Sequence, residues 1–172
     1  LLEVIVADLN SVFAEAAARY AERPAVRMDG LVLIYSRLRD AAYRMASLLS
    51  SAGIAPGDRV AIMLPNVPAF PVAFYGALAA GAIVVPMNPL LKSREITYYL
   101  SDSGASVLLA WHSAAAEAVL GAAATGVPVL KVDEPDAAGL LTGLAPVTAA
   151  VERAGDDDAV ILYTSGTTGV PK

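Results

Sequence analysis

From Val60 onward, short apolar runs alternate with helical segments, and this alternation limits the possible folds more than any other feature of the chain. The runs fall at residues 60–64, 83–86, 106–110, 127–132 and 160–163, each of strand length. Between them, residues 69–80, a stretch opening at Ser93, and residues 113–124 read as helices. A strand buried on both faces reads as a continuous apolar run, and parallel neighbours need a crossover helix between them. The expected class is therefore α/β, a largely parallel sheet with helices on both faces. No internal repeat is visible.

An N-terminal helix and a β-hairpin precede this part. Asn10 or Ser11 is expected to cap a first helix running to about Glu22, which Pro24 follows. Asp29-Gly30 between residues 26–28 and 31–34 is a two-residue hairpin signal of the type I′ kind. Ser36 is expected to cap a second helix, in which Leu38, Ala41, Ala42, Met45, Leu48 and Leu49 recur on one face and which Gly53 closes. Ser93 is expected to cap a later helix, with Glu95 in its first turn. Pro135, Gly139, Gly143 and Pro146 make residues 133–154 a loop with a turn or two of helix. The chain thus divides into a helix, hairpin and helix over 1–58, βαβ repeats over 59–164, and a terminal loop over 164–172.

Composition narrows the function. Of 172 residues, 56% are hydrophobic and 17% charged, enough for one sizeable core. The net charge is −5 and the few cations are scattered, which argues against a nucleic-acid surface. The chain has no cysteine, so disulfides and thiolate metal sites are excluded, and it suits a reducing cytoplasm. Residues 65–91 carry no charge, yet Pro68, Pro71, Gly76, Gly81, Pro86 and Pro89 interrupt them, so a buried helix and strand are expected there rather than a transmembrane span. The first residues have no charged region ahead of a long apolar one and do not read as a signal peptide.

The chemistry lies at the end of the chain. Val160-Ile161-Leu162-Tyr163, expected as a buried strand, feeds Thr164-Ser165-Gly166-Thr167-Thr168-Gly169-Val170-Pro171-Lys172. Glycines allow close backbone approach, successive N–H groups can cup an anion, four hydroxyls add donors, and Lys172 adds a point charge. These are the needs of a polyphosphate. A flexible linker has no reason to follow a strand or to end in Pro-Lys. No Gly-Lys-Ser/Thr closes a Walker loop, and no Gly-x-Gly-x-x-Gly is present.

The ten residues from Tyr163 to Lys172 resemble the phosphate-loop signature of the adenylate-forming superfamily, which includes acyl-CoA synthetases. Leu33-Ile34-Tyr35-Ser36-Arg37-Leu38 and the stretch from Ala77 to Pro89 resemble two further motifs of that group, in order and spacing. Residues 85–96 and 98–105 look most like bacterial fatty acyl-CoA ligases. The resemblance implies a partial N-terminal domain of the acyl-CoA synthetase fold. It implies that Thr164, Ser165, Gly166, Thr167, Thr168, Gly169 and Lys172 hold the phosphates of ATP, with Lys172 serving catalysis. It also implies a carboxylic acid substrate, CoA as co-substrate, and Mg²⁺ bound by residues outside this segment. On that basis the chain is expected to be a piece of a larger protein, inactive alone and prone to form homo-oligomers.

Blander readings apply elsewhere. His112, the one histidine, is expected at the surface near a helix start. Asp156-Asp157-Asp158 reads as solvated punctuation rather than a metal site, since three neighbours in an extended segment cannot all face one ion. Tyr98, Tyr99 and Trp111 are expected to pack rather than stack on bases. Two alternatives to a ligase remain at this stage, a non-catalytic phosphate-binding module and an assembly domain.

Overall fold

The computed structural model describes residues 8–164. Helix α1 (Leu9–Arg19) leads to the hairpin β1 (Pro24–Met28) and β2 (Leu31–Ile34), then α2 (Tyr35–Ser51). There follow β3 (Arg59–Met63), α3 (Ala69–Ala79), β4 (Ile83–Pro86), α4 (Ser93–Ser103) and β5 (Ala105–Trp111). A 3₁₀ turn at His112–Ala114, α5 (Ala115–Ala123), β6 (Val129–Val132) and a short α6 (Ala138–Leu141) complete the order.

The hairpin forms at Asp29-Gly30, with φ of +45° and +86°, the paired positive values a type I′ turn requires. The main sheet is parallel with order β4-β3-β5-β6. From β3 the chain steps out to β4, returns past β3 to β5, and continues to β6. The strands alternate sides as expected for burial on both faces. Val60, Ile62, Val84, Val107 and Leu109 join one cluster with α1, α2 and α3. Ala61, Met63, Val85, Leu108 and Ala110 join the other with α4 and α5. Helices lie on both faces, so the α/β class holds.

Two glycines let helices approach closely. A Cβ at Gly76 of α3 would stand 2.5 Å from Cβ of Met45 on α2, and one at Gly121 of α5 would stand 2.6 Å from Cβ of Ile96 on α4. Phe13 of α1 stacks on Tyr75 of α3 with ring centroids 4.0 Å apart.

Helix starts differ from expectation, for one shared reason: other acceptors reached the free N–H groups first. Asp8, not Asn10 or Ser11, caps α1, its Oδ1 accepting from the amides of Asn10 (2.8 Å) and Ser11 (3.1 Å). The helix also ends at Arg19 rather than near Glu22, because Tyr20 leaves helical geometry at φ −122°. Helix α2 starts at Tyr35 with no side-chain cap; the amides of Tyr35 and Ser36 donate to the carbonyls of Arg23 and Ala21. Ser93 is the first residue of α4 and not its cap. Its amide donates to Glu117 of α5 (2.8 Å), while the amide of Lys92 donates to Glu95 (2.9 Å). Strand β6 starts at Val129 rather than Val127, since Pro128 has no N–H to give a ladder.

Candidate active site at the carboxyl edge of the sheet

The segment leading to the loop joins the sheet outside β4. Val160 forms a parallel bridge with Val84; the amide of Val84 donates to Ala159 O and the amide of Ile161 donates to Val84 O, both at 2.9 Å. The chain therefore runs with the other strands and delivers Thr164 to their carboxyl side, the side on which open α/β sheets bind ligands. Thr164 emerges next to β4, two strands away from the point between β3 and β5 where the winding reverses.

The expected buried strand at 160–163 is instead a half-open edge. Ile161 and Tyr163 turn toward the α4 and α5 face, Val160 turns toward the other, and Leu162 is 69% exposed. Among the described residues only β4 flanks the segment, and it is joined by a single bridge. A run of β-formers carries the strand preference but says nothing about how many neighbours the strand will have.

Tyr163 fastens this edge to α4. Its hydroxyl donates to Oδ2 of Asp102 at 2.6 Å. Its ring lies 4.3 Å from that of Tyr99 and meets Tyr98 edge-on at 6.3 Å. Burial, and then the hydrogen bond to Asp102 and its charge, push the phenol well above its ordinary range, with Ser103 pulling slightly the other way. Tyr163 thus remains a neutral donor. The two tyrosines of α4 pack, as expected from the sequence.

Helix α4 is itself held at both ends. Ile96 and Leu100 are buried against the sheet. Thr97 Oγ1 donates to Gly121 O at 2.7 Å, tying α4 to α5. At the far end Arg59 reaches the carbonyls of Ser103 (2.9 Å) and Gly104 (2.7 Å), and also that of Gly57 (3.1 Å). Glycine at 104 sits at φ +61°, the left-handed position that ends a helix.

Of the loop residues singled out in the sequence, Thr164 is exposed at the carboxyl edge. Ser165, Gly166, Thr167, Thr168, Gly169 and Lys172 lie outside the described residues. His112 is exposed at the start of the 3₁₀ turn, its ring 4.6 Å from that of Trp111. Asp157 has a local task, accepting from the amide of Ala154 (2.9 Å) and pairing with Arg153 (3.0 Å). Among the described residues no three His, Cys, Asp or Glu side chains are grouped to hold a metal ion. No described helix is long and apolar enough to cross a membrane. Sequence reasoning missed Asp102. The signal available was an acid in the last turn of a helix, where it opposes the macrodipole.

A cavity of about 180 Å³ lies among Asp8, Asn10, Leu78, Ala82, Arg153 and Asp158. It flanks the residues that precede β4 and the Val160 bridge, at the amino ends of the strands. It is therefore on the opposite side of the sheet from Thr164.

Comparison with known proteins agrees with this geometry. The model of the AMP-binding enzyme family matches residues 13–172. A long-chain-fatty-acid–CoA ligase of Mycobacterium tuberculosis, FadD13, is 41% identical over 145 residues, which cover 81% of this chain and 28% of that protein. The long-chain-fatty-acid–CoA ligase of Escherichia coli O157:H7 is 42% identical over 103 residues, 59% of this chain and 18% of that one. Among solved structures, the N-terminal domain of FACL13 from Mycobacterium tuberculosis superposes with a TM-score of 0.84 at 33% identity, covering 96% of this chain and 43% of that one. A benzoate CoA ligase from Burkholderia xenovorans gives 0.84 at 27% identity, covering 91% and 32%. The chain spans less than a third of the length of the curated relatives it matches. A parallel sheet that delivers Thr164 to its carboxyl edge, and a family match over residues 13–172, make this chain a member of the AMP-binding enzyme family, with the N-terminal fold of adenylate-forming ligases.

Proposed function

We propose that this chain is the N-terminal part of an ATP-dependent acyl-CoA ligase acting on fatty acids. The observation that carries the reading is the delivery of Thr164 to the carboxyl edge by an edge segment fastened to α4, at the head of a sequence rich in hydroxyls and glycine. The donor set suits a polyphosphate. Thr164, Ser165, Thr167 and Thr168 offer hydroxyls, Gly166 and Gly169 leave room for backbone amides to approach, and Lys172 neutralises charge.

In this reading the segment binds and orients the β- and γ-phosphates of ATP. A carboxylate oxygen of the fatty acid attacks the α-phosphorus, and pyrophosphate leaves with the bonding pair. The thiol sulfur of CoA then attacks the acyl carbon of the adenylate, AMP leaves, and the thiol proton is released. The contribution of this chain is positioning and charge neutralisation of the leaving pyrophosphate, with no covalent bond to the loop. Mg²⁺ would be held by residues outside this chain.

The fatty-acid assignment is supported by the relatives at 41% and 42% identity, which are named for that substrate class. The 172-residue chain alone is inactive in this reading. It self-associates through its half-open edge, where Leu162 is 69% exposed, and sedimentation as a monomer alone would contradict that. The decisive experiment is ATP–pyrophosphate exchange driven by a fatty acid, followed by CoA-dependent release of AMP, in the protein encoded by the whole reading frame. Exchange that requires the fatty acid supports the proposal, and its absence with fatty acids of short, medium and long chain overturns it.

A further inference from the structure

We infer that Asp102 and Tyr163 are positioning residues for nucleotide binding: their hydrogen bond, flanked by Tyr98 and Tyr99, sets where the chain leaves the sheet at Thr164. This rests on the phosphate-binding reading above and deepens it.

Three independent observations converge on the pair. The first is the weakness of the backbone attachment. Two backbone hydrogen bonds around Val84 join residues 159–161 to the sheet, and the bridge is a single one. Among the described residues no backbone bond past Ile161 ties the chain to the sheet, and of the two side chains before Thr164, Leu162 is largely exposed while Tyr163 is bonded and stacked.

The second is the placement of Asp102. An acid in the last turn of a helix faces the carbonyl end of the macrodipole, and the last turn of α4 holds no basic residue to relieve it. A hydroxyl donor 2.6 Å away compensates it, and it comes from 61 residues downstream.

The third is the rigidity of the post. Helix α4 is fixed by buried Ile96 and Leu100, by the bond from Thr97 to α5, and by Arg59 clamped over its final carbonyls. An anchor on a helix held this way fixes a point in space. The Cα of Thr164 lies one step, about 3.8 Å, beyond that of Tyr163. The hydroxyl of Thr164 therefore inherits its position from the side chain of the residue before it.

Neither residue needs to touch the nucleotide. Misplacement of a binding group by about 1 Å is enough to lower a rate about a hundredfold, and loss of one of several restraints should cost less than that. The test uses the protein encoded by the whole reading frame, with Tyr163→Phe, Asp102→Ala, Asp102→Asn and the double variant Tyr163→Phe/Asp102→Ala. In ATP–pyrophosphate exchange, Tyr163→Phe and Asp102→Ala should each raise KM for ATP about tenfold while KM for the fatty acid stays put. The double variant should be no worse than either single one, since both remove the same bond. Asp102→Asn, which keeps an acceptor, should recover most of the loss. Additive losses, or an unchanged KM for ATP in Tyr163→Phe, would overturn the inference. If the parent shows no exchange with any acid, the ligase reading fails instead. The anchor is then read by amide hydrogen exchange over residues 162–168, which should quicken in Tyr163→Phe; unchanged exchange there overturns the anchor as well.

Discussion

Replacing Gly121 with alanine tests how closely α4 and α5 meet. In a helix interior this change favours folding by up to about 1 kcal/mol, because alanine is the better helix former. Here the added methyl would stand 2.6 Å from Cβ of Ile96, 2.7 Å from its Cγ2 and 2.8 Å from the carbonyl oxygen of Ser93. Ordinary carbon contacts lie at about 3.5–4.0 Å, so the two helices must part by about 1 Å. None of the three obstacles is the flexible tip of a long side chain. Parting would strain the packing around Ile96 and Ala118, both fully buried. It would also stretch the bonds from Thr97 Oγ1 to Gly121 O, now 2.7 Å, and from the Ser93 amide to Glu117, now 2.8 Å. Overpacking costs about 1–3 kcal/mol and a weakened hydrogen bond about 1 kcal/mol. Against the propensity gain, the net loss comes to about 2 kcal/mol. For a chain of this size that is a fall in Tm of about 4–8 °C. Thermal melts and urea midpoints at unchanged m would measure it. Gly126→Ala is the control: its φ of +72° imposes strain of about 1–2 kcal/mol, and nothing lies within 4 Å of the new methyl. A Gly121→Ala protein as stable as its parent would refute the close seam between α4 and α5.

Other substitutions read other parts of the molecule. Arg59→Ala removes three bonds to carbonyls at the ends of α4 and β3 and should destabilise by about 1–2 kcal/mol in chemical denaturation; Arg59→Lys, which cannot span the same acceptors, should recover little of it. Asp8→Ala should destabilise at neutral pH, with the difference from the parent vanishing on acidification. Burial raises the pKa of Asp8, but bonds from Ser11 and Asn10 outweigh that and hold it below 3.8. The stability it contributes is thus present above the unfolded value and lost as pH falls through the folded one. A gap between parent and variant that persists at the acid end would contradict the cap. Lys172→Ala, in the protein encoded by the whole reading frame, should lower adenylate formation at least tenfold in the exchange assay, as expected for loss of a charge that stabilises the leaving group; unchanged exchange would remove Lys172 from the proposed site.

What the sequence made legible was local or periodic. Asp29-Gly30 announced its turn because few residues tolerate two positive φ values in a row. The apolar face of α2 was readable from Leu38, Ala42, Met45 and Leu49, all of which are buried. The strands from Val60 onward were readable as runs, and the α/β class followed. Helix starts were less legible, since Ser36 and Ser93 look like caps until an upstream carbonyl or Glu117 of another helix supplies the acceptor. The partner of Tyr163 was not legible at all. Nothing in the order of residues says that α4 turns Asp102 toward a strand that arrives 61 residues later, on the far side of β4 from β3. The residues proposed to bind phosphate were named from their chemistry and from the family resemblance, and of these Thr164 has a described position, exposed at the carboxyl edge.

The lone bridge between Val84 and Val160 has a consequence for how the chain settles during folding. A ladder of many bonds would fix the register of residues 160–163 by itself; a single bridge does not. A slip of one residue toward the carboxyl end of the sheet would exchange the two faces, pointing Leu162 at Asp102 and turning Tyr163 outward. A leucine there would leave the carboxylate without its donor and bring apolar surface against a charge. The acid at the end of α4 therefore works as a proofreader against that slip, accepting the alignment that brings it the phenol of Tyr163.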